Sequence, residues 1–227
     1  MKLLALDTST EACSVALLDD SELLTLDEVC PQQHSKRVLP MVQQLLADSG
    51  LSLAQLDGLV FGKGPGSFTG VRIGVGVAQG LAFGADLPVY GVSTLAAMAQ
   101  AAYRQLQASQ VLAAIDARMA EIYFGRYQLD ANGLMQLQGQ EQAVKPDQLA
   151  PLDSGKDFTA VGTGWQTYAE VLQQWQAAQS SDILYPSAQD MLPQARQAWD
   201  AGYFVAAEQA EPSYVRDTVS WQKLPGR

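Results

Sequence analysis

The chain has 227 residues, 48% of them hydrophobic, and a formal net charge of −10 at neutral pH. This length suffices for two compact domains, while the acidic excess and the lack of a Lys/Arg run disfavour tRNA or DNA binding by this chain alone. Cys13 and Cys30 are too few for a disulfide framework and lack metal-ligand spacing. Neither a signal-peptide pattern nor a continuous apolar run long enough for a membrane span is evident, so we expect a cytoplasmic protein.

The predicted elements alternate in a regular order along the chain. In the first half, strands at 3–6, 13–18 and 23–29 precede a helix at 35–49, a strand at 59–61, a glycine-rich helix at 71–84, a strand at 89–92 and a helix at 93–107. In the second half, strands at 111–115, 121–129, 134–138 and 158–161 precede helices at 165–177 and 187–204. The order βββαβαβα in each half predicts an α/β protein with the two-domain actin-like fold of sugar kinases and Hsp70, divided into domains 1–107 and 108–227.

A glycine-rich run separates the strand at 59–61 from the helix that follows it. Residues 62–74 read Gly-Lys-Gly-Pro-Gly-Ser-Phe-Thr-Gly-Val-Arg-Ile-Gly and match neither the Walker phosphate loop nor the dinucleotide fingerprint. Glycines continue at 76, 80 and 84, and each interior one costs about 1 kcal/mol relative to alanine. Tertiary or quaternary contact must offset that cost. The helix therefore packs closely either on its own sheet or on another chain.

The helix at 35–49 carries more apolar surface than one core-facing stripe requires. Val38, Met41, Val42 and Leu45 form one apolar side, and Leu39 and Leu46 adjoin it. We therefore predict that this helix also has apolar surface left for a partner.

Few residues are candidates for phosphate binding, metal binding or catalysis. Asp7, Thr8, Ser9 and Thr10 form a turn that either binds phosphate or satisfies its own backbone. The corresponding loop of the second half, 116–119, lacks the glycines that phosphate requires, and the glycine turn at 161–165 is either an adenosine contact or a plain connection. His34 is the sole histidine, which rules out a His-x-x-x-His metal pair, and no Gly-x-Ser-x-Gly elbow occurs.

The chain resembles the bacterial TsaB family along nearly its whole length. The resemblance is carried by Asp7-Thr-Ser-Thr10, Gln33-His-Ser35, Gly64-Pro-Gly-Ser-Phe-Thr-Gly-Val-Arg-Ile-Gly74, Asp116-Ala-Arg118, Glu121-Ile-Tyr123 and Pro212-Ser-Tyr-Val-Arg216. It implies the actin-like fold and a role in making threonylcarbamoyladenosine on tRNA, as a non-catalytic scaffold for the related catalytic subunit TsaD. It also implies that the ATPase TsaE joins the assembly and that a homodimer forms when TsaD is absent.

In this family the first helix and the glycine helix form a helical bundle with the partner. Carried onto this chain, the resemblance implies no catalytic residue, no metal and no cofactor of its own, although a nucleotide at the partner interface stays open. We expect Gly74→Leu or Ala78→Trp to abolish association without unfolding the chain. The implied interface residues are Val38, Val42, Leu45, Leu46, Val71, Gly74, Val75 and Ala78, and the candidate nucleotide or phosphate contacts are Asp7, Thr8, Ser9, Thr10, Lys63 and Arg118.

Two other functions remain open from the residues. One is a small-molecule kinase or ATPase of the same fold, which the glycine-free loop at 116–119 disfavours. The other is a protease, which a single histidine and the missing nucleophile elbow leave without catalytic groups.

Overall fold

The first half of the chain forms a five-stranded mixed sheet. A computed structural model describes residues 1–149, 157–172 and 178–216. The strand order is β3-β2-β1-β4-β5, with β1, β2 and β3 antiparallel and β4 and β5 parallel to β1. Helices cover both faces, which is why β1 and β4 are continuously apolar. The strands are β1 (Lys2–Asp7), β2 (Ala12–Asp19), β3 (Glu22–Val29), β4 (Gly58–Gly62) and β5 (Val89–Val92).

A second sheet repeats this strand order. It runs β8-β7-β6-β10-β11, and the short strand β9 also pairs with β7. The repeat does not extend to the predicted element order, because β9 intervenes and a 3-10 turn at Pro146–Gln148 precedes residues outside the described ranges. The strands are β6 (Gln110–Arg118), β7 (Glu121–Leu129), β8 (Met135–Leu137), β9 (Gln142–Val144), β10 (Phe158–Val161) and β11 (Ala178–Ser180).

Six helices within the described ranges pack on these sheets. They are α1 (His34–Ser49), α2 (Phe68–Ala85), α3 (Thr94–Leu106), α4 (Gly164–Thr167), α5 (Ala169–Leu172) and α6 (Leu192–Asp200), with 3-10 turns at Leu53–Gln55, Ala188–Met191 and Ala207–Gln209. The predicted helix at 165–177 is thus two short pieces in its described part, and its last five residues lie outside the described ranges.

Packing crosses the predicted division at residue 107. Helix α3, although it belongs to the first half, shares a core with β6 of the second sheet. Helix α6 and the turn before it return to the first sheet, where Met191 and Ala195 pack against Leu3 and Val60. The chain then stays on the first sheet as Val205 pairs with Val89. The division into domains 1–107 and 108–227 stays a prediction. Helix α3 from the first half packs on the second sheet, and α6 from the second half packs on the first.

Helices α1 and α2 lie side by side on one face of the first sheet. The Ser67 hydroxyl accepts a hydrogen bond from Gly70 N–H and caps the start of α2, and Gly50, in the left-handed region at φ 69°, ends α1. Glycines let α2 approach the sheet closely, since a Cβ at Gly70 would lie 2.2 Å from the Thr8 carbonyl oxygen.

Seven of the eight residues predicted for the interface on these helices face the chain's own sheet. Val38, Val42 and Leu45 of α1 and Val71, Gly74, Val75 and Ala78 of α2 face the chain's own sheet and are buried there, while Leu46 is half-buried. The side chains at these buried positions complete the core and are not available to a partner in this conformation.

The prediction that Gly74→Leu and Ala78→Trp would leave the chain folded conflicts with the packing at these two positions. A Cβ at Gly74 would lie 2.7 Å from Thr8 Oγ1, and Ala78 is fully buried. Gly74→Leu and Ala78→Trp would therefore disrupt the core.

Candidate functional site

The outer side of α2 carries a bare strip of helix backbone. A Cβ added at Gly76, Gly80 or Gly84 would meet no atom of the described residues within 4 Å. Phe83, beside this strip, is 73% exposed. Unlike Gly70 and Gly74, these three glycines are not required for contact with the chain's own sheet. Their destabilising effect on the helix therefore has no compensating contact within the described residues.

Apolar side chains border the glycine strip. Ile73, Val77 and Leu81 form a half-buried row on α2, and on α1 Leu46 is half-buried and Leu39 is 42% exposed. Small residues flanked by aliphatic ones allow two helices to approach closely. We call this surface the docking face. It comprises Leu39, Leu46, Ile73, Gly76, Val77, Gly80, Leu81, Phe83 and Gly84.

The turn proposed as a phosphate site is closed to phosphate by its own hydrogen bonds. Ser9 donates to Asp7 Oδ1 from both its backbone N–H and its hydroxyl, each at 2.8 Å. Ser9 Oγ also accepts from Thr94 Oγ1 at 3.0 Å, and the Ser9 carbonyl accepts from Ser67 N–H at 2.7 Å.

The two threonines of the turn are likewise engaged. Thr8 Oγ1 donates to the Gly70 carbonyl at 2.7 Å, and Thr10 Oγ1 accepts from Ala12 N–H at 3.3 Å. Asp7, Thr8, Ser9 and Thr10 are all at most 5% exposed. These bonds favour the predicted alternative in which the turn satisfies its own groups: the four residues tie β1 to α2 and α3.

Asp7 and His34 are two buried polar residues with unfilled hydrogen-bonding capacity. Asp7 Oδ2 and His34 Nε2 are both buried and have no hydrogen-bond partner among the described residues. Burial raises the pKa of Asp7 to about 6, against the opposing effects of its Ser9 hydrogen bonds and of His34. Only glycine fits beside this carboxylate, because a Cβ at Gly62 would lie 1.7 Å from Asp7 Oδ2.

The loop of the second half is braced by neighbouring side chains. Asp116 N–H donates to Thr163 Oγ1 at 3.2 Å, and Tyr168 Oη donates to Asp116 Oδ1 at 3.1 Å. Arg118 pairs with Asp116 at 3.0 Å and reaches Glu11 across the two halves at 3.4 Å, although its side chain is 75% exposed. Arg118 stays a predicted nucleotide contact.

The glycine turn at 162–164 is used for packing. A Cβ at Gly162 would lie 2.2 Å from the Ala114 carbonyl oxygen, so this turn seats the start of α4 against β6. That geometry favours a plain connection over an adenosine contact. Lys63 is half-buried and forms no ion pair with any described residue; it too stays a predicted nucleotide contact.

Within 1–149, 157–172 and 178–216, no three His, Cys, Asp or Glu side chains are grouped so that they could hold a metal ion. Among the helices of those ranges, none has the length and apolarity needed to cross a bilayer.

Comparison with known proteins identifies the family. A family model described as TsaD, tRNA N6-adenosine threonylcarbamoyltransferase, matches residues 26–222. A relative from Escherichia coli K12, called tRNA threonylcarbamoyladenosine biosynthesis protein TsaB, is 49% identical, and the alignment covers all of both chains. The chain belongs to the TsaB family. The relative of the same name from Haemophilus influenzae is 47% identical over all of this chain and 98% of its own.

A solved structure supports the fold described for this TsaB-family chain. It is described as an uncharacterized protein with similarity to peptidase YEAZ from Pseudomonas aeruginosa, and it is 51% identical. The superposition has a TM-score of 0.89 and covers 95% of this chain and 99% of the other.

Of the docking-face residues, only Leu46 was among the predicted interface residues. Gly76, Gly80 and Phe83 were available as signals, because a helix needs only one row of small residues to lie against its sheet and α2 has two. The exposed Leu39 was recognised as adjoining the apolar side of its helix but was not among the predicted interface residues, since its spacing also fits the edge of the core stripe.

Proposed function

We propose that this TsaB-family chain is a non-catalytic subunit in the synthesis of threonylcarbamoyladenosine on tRNA, and that its docking face binds a TsaD-type catalytic subunit in the cytoplasm. In this proposal, TsaE joins the same assembly, and a second copy of the chain covers the docking face when TsaD is absent. The proposed role in the pathway follows the names of the relatives, which are 49% and 47% identical over the full chain.

The observation that carries the binding proposal is the uncovered glycine strip at 76, 80 and 84. Three exposed glycines destabilise α2 by about 3 kcal/mol relative to alanine. A partner helix lying along the strip would gain close backbone contact and bury the adjoining apolar row.

The hydrogen bonding of the turn at 7–10 supports the proposal of a non-catalytic subunit. The hydroxyls of the turn at 7–10 are engaged within the chain, and Asp7 is enclosed. The repeated sheet order supports the actin-like class, but a kinase or ATPase of this class would have to work without that turn.

Complementation would test the proposal in cells. After depletion of the chain, we expect the threonylcarbamoyladenosine content of tRNA, measured by nucleoside mass spectrometry, to fall and to be restored by the wild-type chain and by Gly80→Ala. Gly80→Trp should fold but fail to restore it, because the indole fills the strip. Full restoration by Gly80→Trp would contradict the docking face, and an unchanged nucleoside content after depletion would contradict the pathway.

A further inference from the structure

A second apolar feature lies at the start of α2, separate from the buried core. It is a cavity of about 520 Å³ between the N-terminus of α2, strand β7 and the segment 213–216. Phe68, Tyr123 and Tyr214 contribute aromatic rings to its lining, which also includes Arg72 and Arg216. Phe68 and Tyr214 are 59% and 49% exposed, with ring centroids 6.0 Å apart.

The two arginines differ in their charge compensation. Arg216 donates to Glu121 and to the Ala117 carbonyl oxygen, so its charge is balanced within the chain. The Cζ atom of Arg72 lies 3.4 Å from the centroid of the Phe68 ring and 5.5 Å from the centroid of the Tyr214 ring. Arg72 forms no ion pair or hydrogen bond with a described residue. Stacking holds this guanidinium in place and leaves its donors open to an anion.

The cavity is continuous with the docking face. Phe68, Arg72, Gly76, Gly80 and Gly84 follow one another at intervals of four, so they form one ridge along α2. One end of a helix that lies along the glycine strip would therefore reach Arg72 and the cavity beside Phe68. Arginine and aromatic side chains around a pocket are also the composition enriched at interaction hot spots.

We propose that this cavity receives a large apolar side chain, preceded or followed by a carboxylate, from the TsaD-type partner that covers the glycine strip. The apolar group enters the cavity beside the Phe68 and Tyr214 rings, and the carboxylate binds the Arg72 guanidinium. This inference rests on the proposed function and specifies the chemistry of the partner at one end of that contact.

Affinity measurements separate this inference from the proposed function. Titration of the TsaD homologue of the same organism into the chain should give at least tenfold weaker binding for Arg72→Ala and for Phe68→Ala than for the wild type. The wild-type affinity should fall between 50 and 300 mM NaCl, and Arg72→Ala should reduce that dependence, because a charge pair is screened by salt. Arg196→Ala, which removes an exposed cation from α6, is the matched control and should bind like the wild type.

Wild-type affinity in both Arg72→Ala and Phe68→Ala, together with loss of binding in Gly80→Trp, would overturn the cavity assignment and leave the docking face standing. Absence of binding by the wild type would instead overturn the proposed function.

Binding of a fluorescent aromatic anion, 1-anilinonaphthalene-8-sulfonate, tests which molecule or segment occupies the cavity. We expect it to bind the free chain, to bind at least fivefold more weakly to Phe68→Ala and Arg72→Ala, and to be displaced by one equivalent of the TsaD homologue. Displacement by ATP but not by the TsaD homologue would assign the cavity to a nucleotide. Binding that occurs only after deletion of residues 217–227 would assign it to the chain's own C-terminal residues. Either result overturns the inference.

Discussion

Asp7→Asn is expected to stabilise the chain by about 3 kcal/mol at pH 8. The Asp7 carboxyl is enclosed, one of its oxygens has no hydrogen-bond partner in the described part of the chain, and burial raises its pKa from 3.8 to about 6. Each pKa unit corresponds to about 1.4 kcal/mol of preference for the protonated form. Asparagine keeps an oxygen to accept the two Ser9 hydrogen bonds and removes the cost of a buried charge.

The pH dependence follows with a definite sign. A group whose pKa is raised on folding stabilises the protein below its unfolded pKa, and this contribution is lost as the pH rises through the folded value. The wild-type free energy of unfolding should thus fall between about pH 4 and pH 6, and this part of the fall should be missing in Asp7→Asn. Urea unfolding at several pH values across that window measures the free energy of unfolding. Asp48 is exposed, so Asp48→Asn is the control and should show the wild-type pH profile. A less stable Asp7→Asn at pH 8 would contradict the account.

The same substitution at neighbouring glycines of α2 should have opposite consequences. Gly74→Leu is expected to destabilise the chain by about 3 kcal/mol or more, because its side chain would enter the space of Thr8, whose hydroxyl bonds the Gly70 carbonyl. Gly76→Leu should leave stability unchanged or raise it by up to about 1 kcal/mol, because its Cβ meets no atom and leucine is the better helix former.

Thermal unfolding followed by circular dichroism distinguishes these two variants directly. Equal melting temperatures for Gly74→Leu and Gly76→Leu would mean that the inward and outward glycine rows are wrongly assigned.

Sequence patterns were sufficient for most of the first half. Helix α1 was predicted at 35–49 and spans His34–Ser49, since it has apolar spacing and a terminal glycine. Strand β2, predicted at 13–18, spans Ala12–Asp19. Shorter elements such as β9 and β11 were missed, because three residues carry too little periodicity and pairing with β7 and β10 decides their conformation.

The orientation of the site could not be read from spacing. An apolar row such as Val38, Val42 and Leu45 fits a sheet and a partner equally well, and only the packed structure shows that the sheet takes it. Likewise, the hydroxyls of Thr8 and Ser9 suit phosphate until Gly70 and Thr94 are seen to engage them. Bonds formed across more than sixty residues leave no local signal.

The most direct test of the docking face is its affinity for the TsaD homologue of the same organism, measured by isothermal titration with three forms of the chain. Gly80→Ala should bind within about fivefold of the wild type, because a methyl group adds little bulk to the open strip. Gly80→Trp should bind at least 100-fold more weakly, or about 2.7 kcal/mol, while melting at the wild-type temperature or above. Wild-type affinity in a folded Gly80→Trp would show that the partner, if it binds, does so elsewhere.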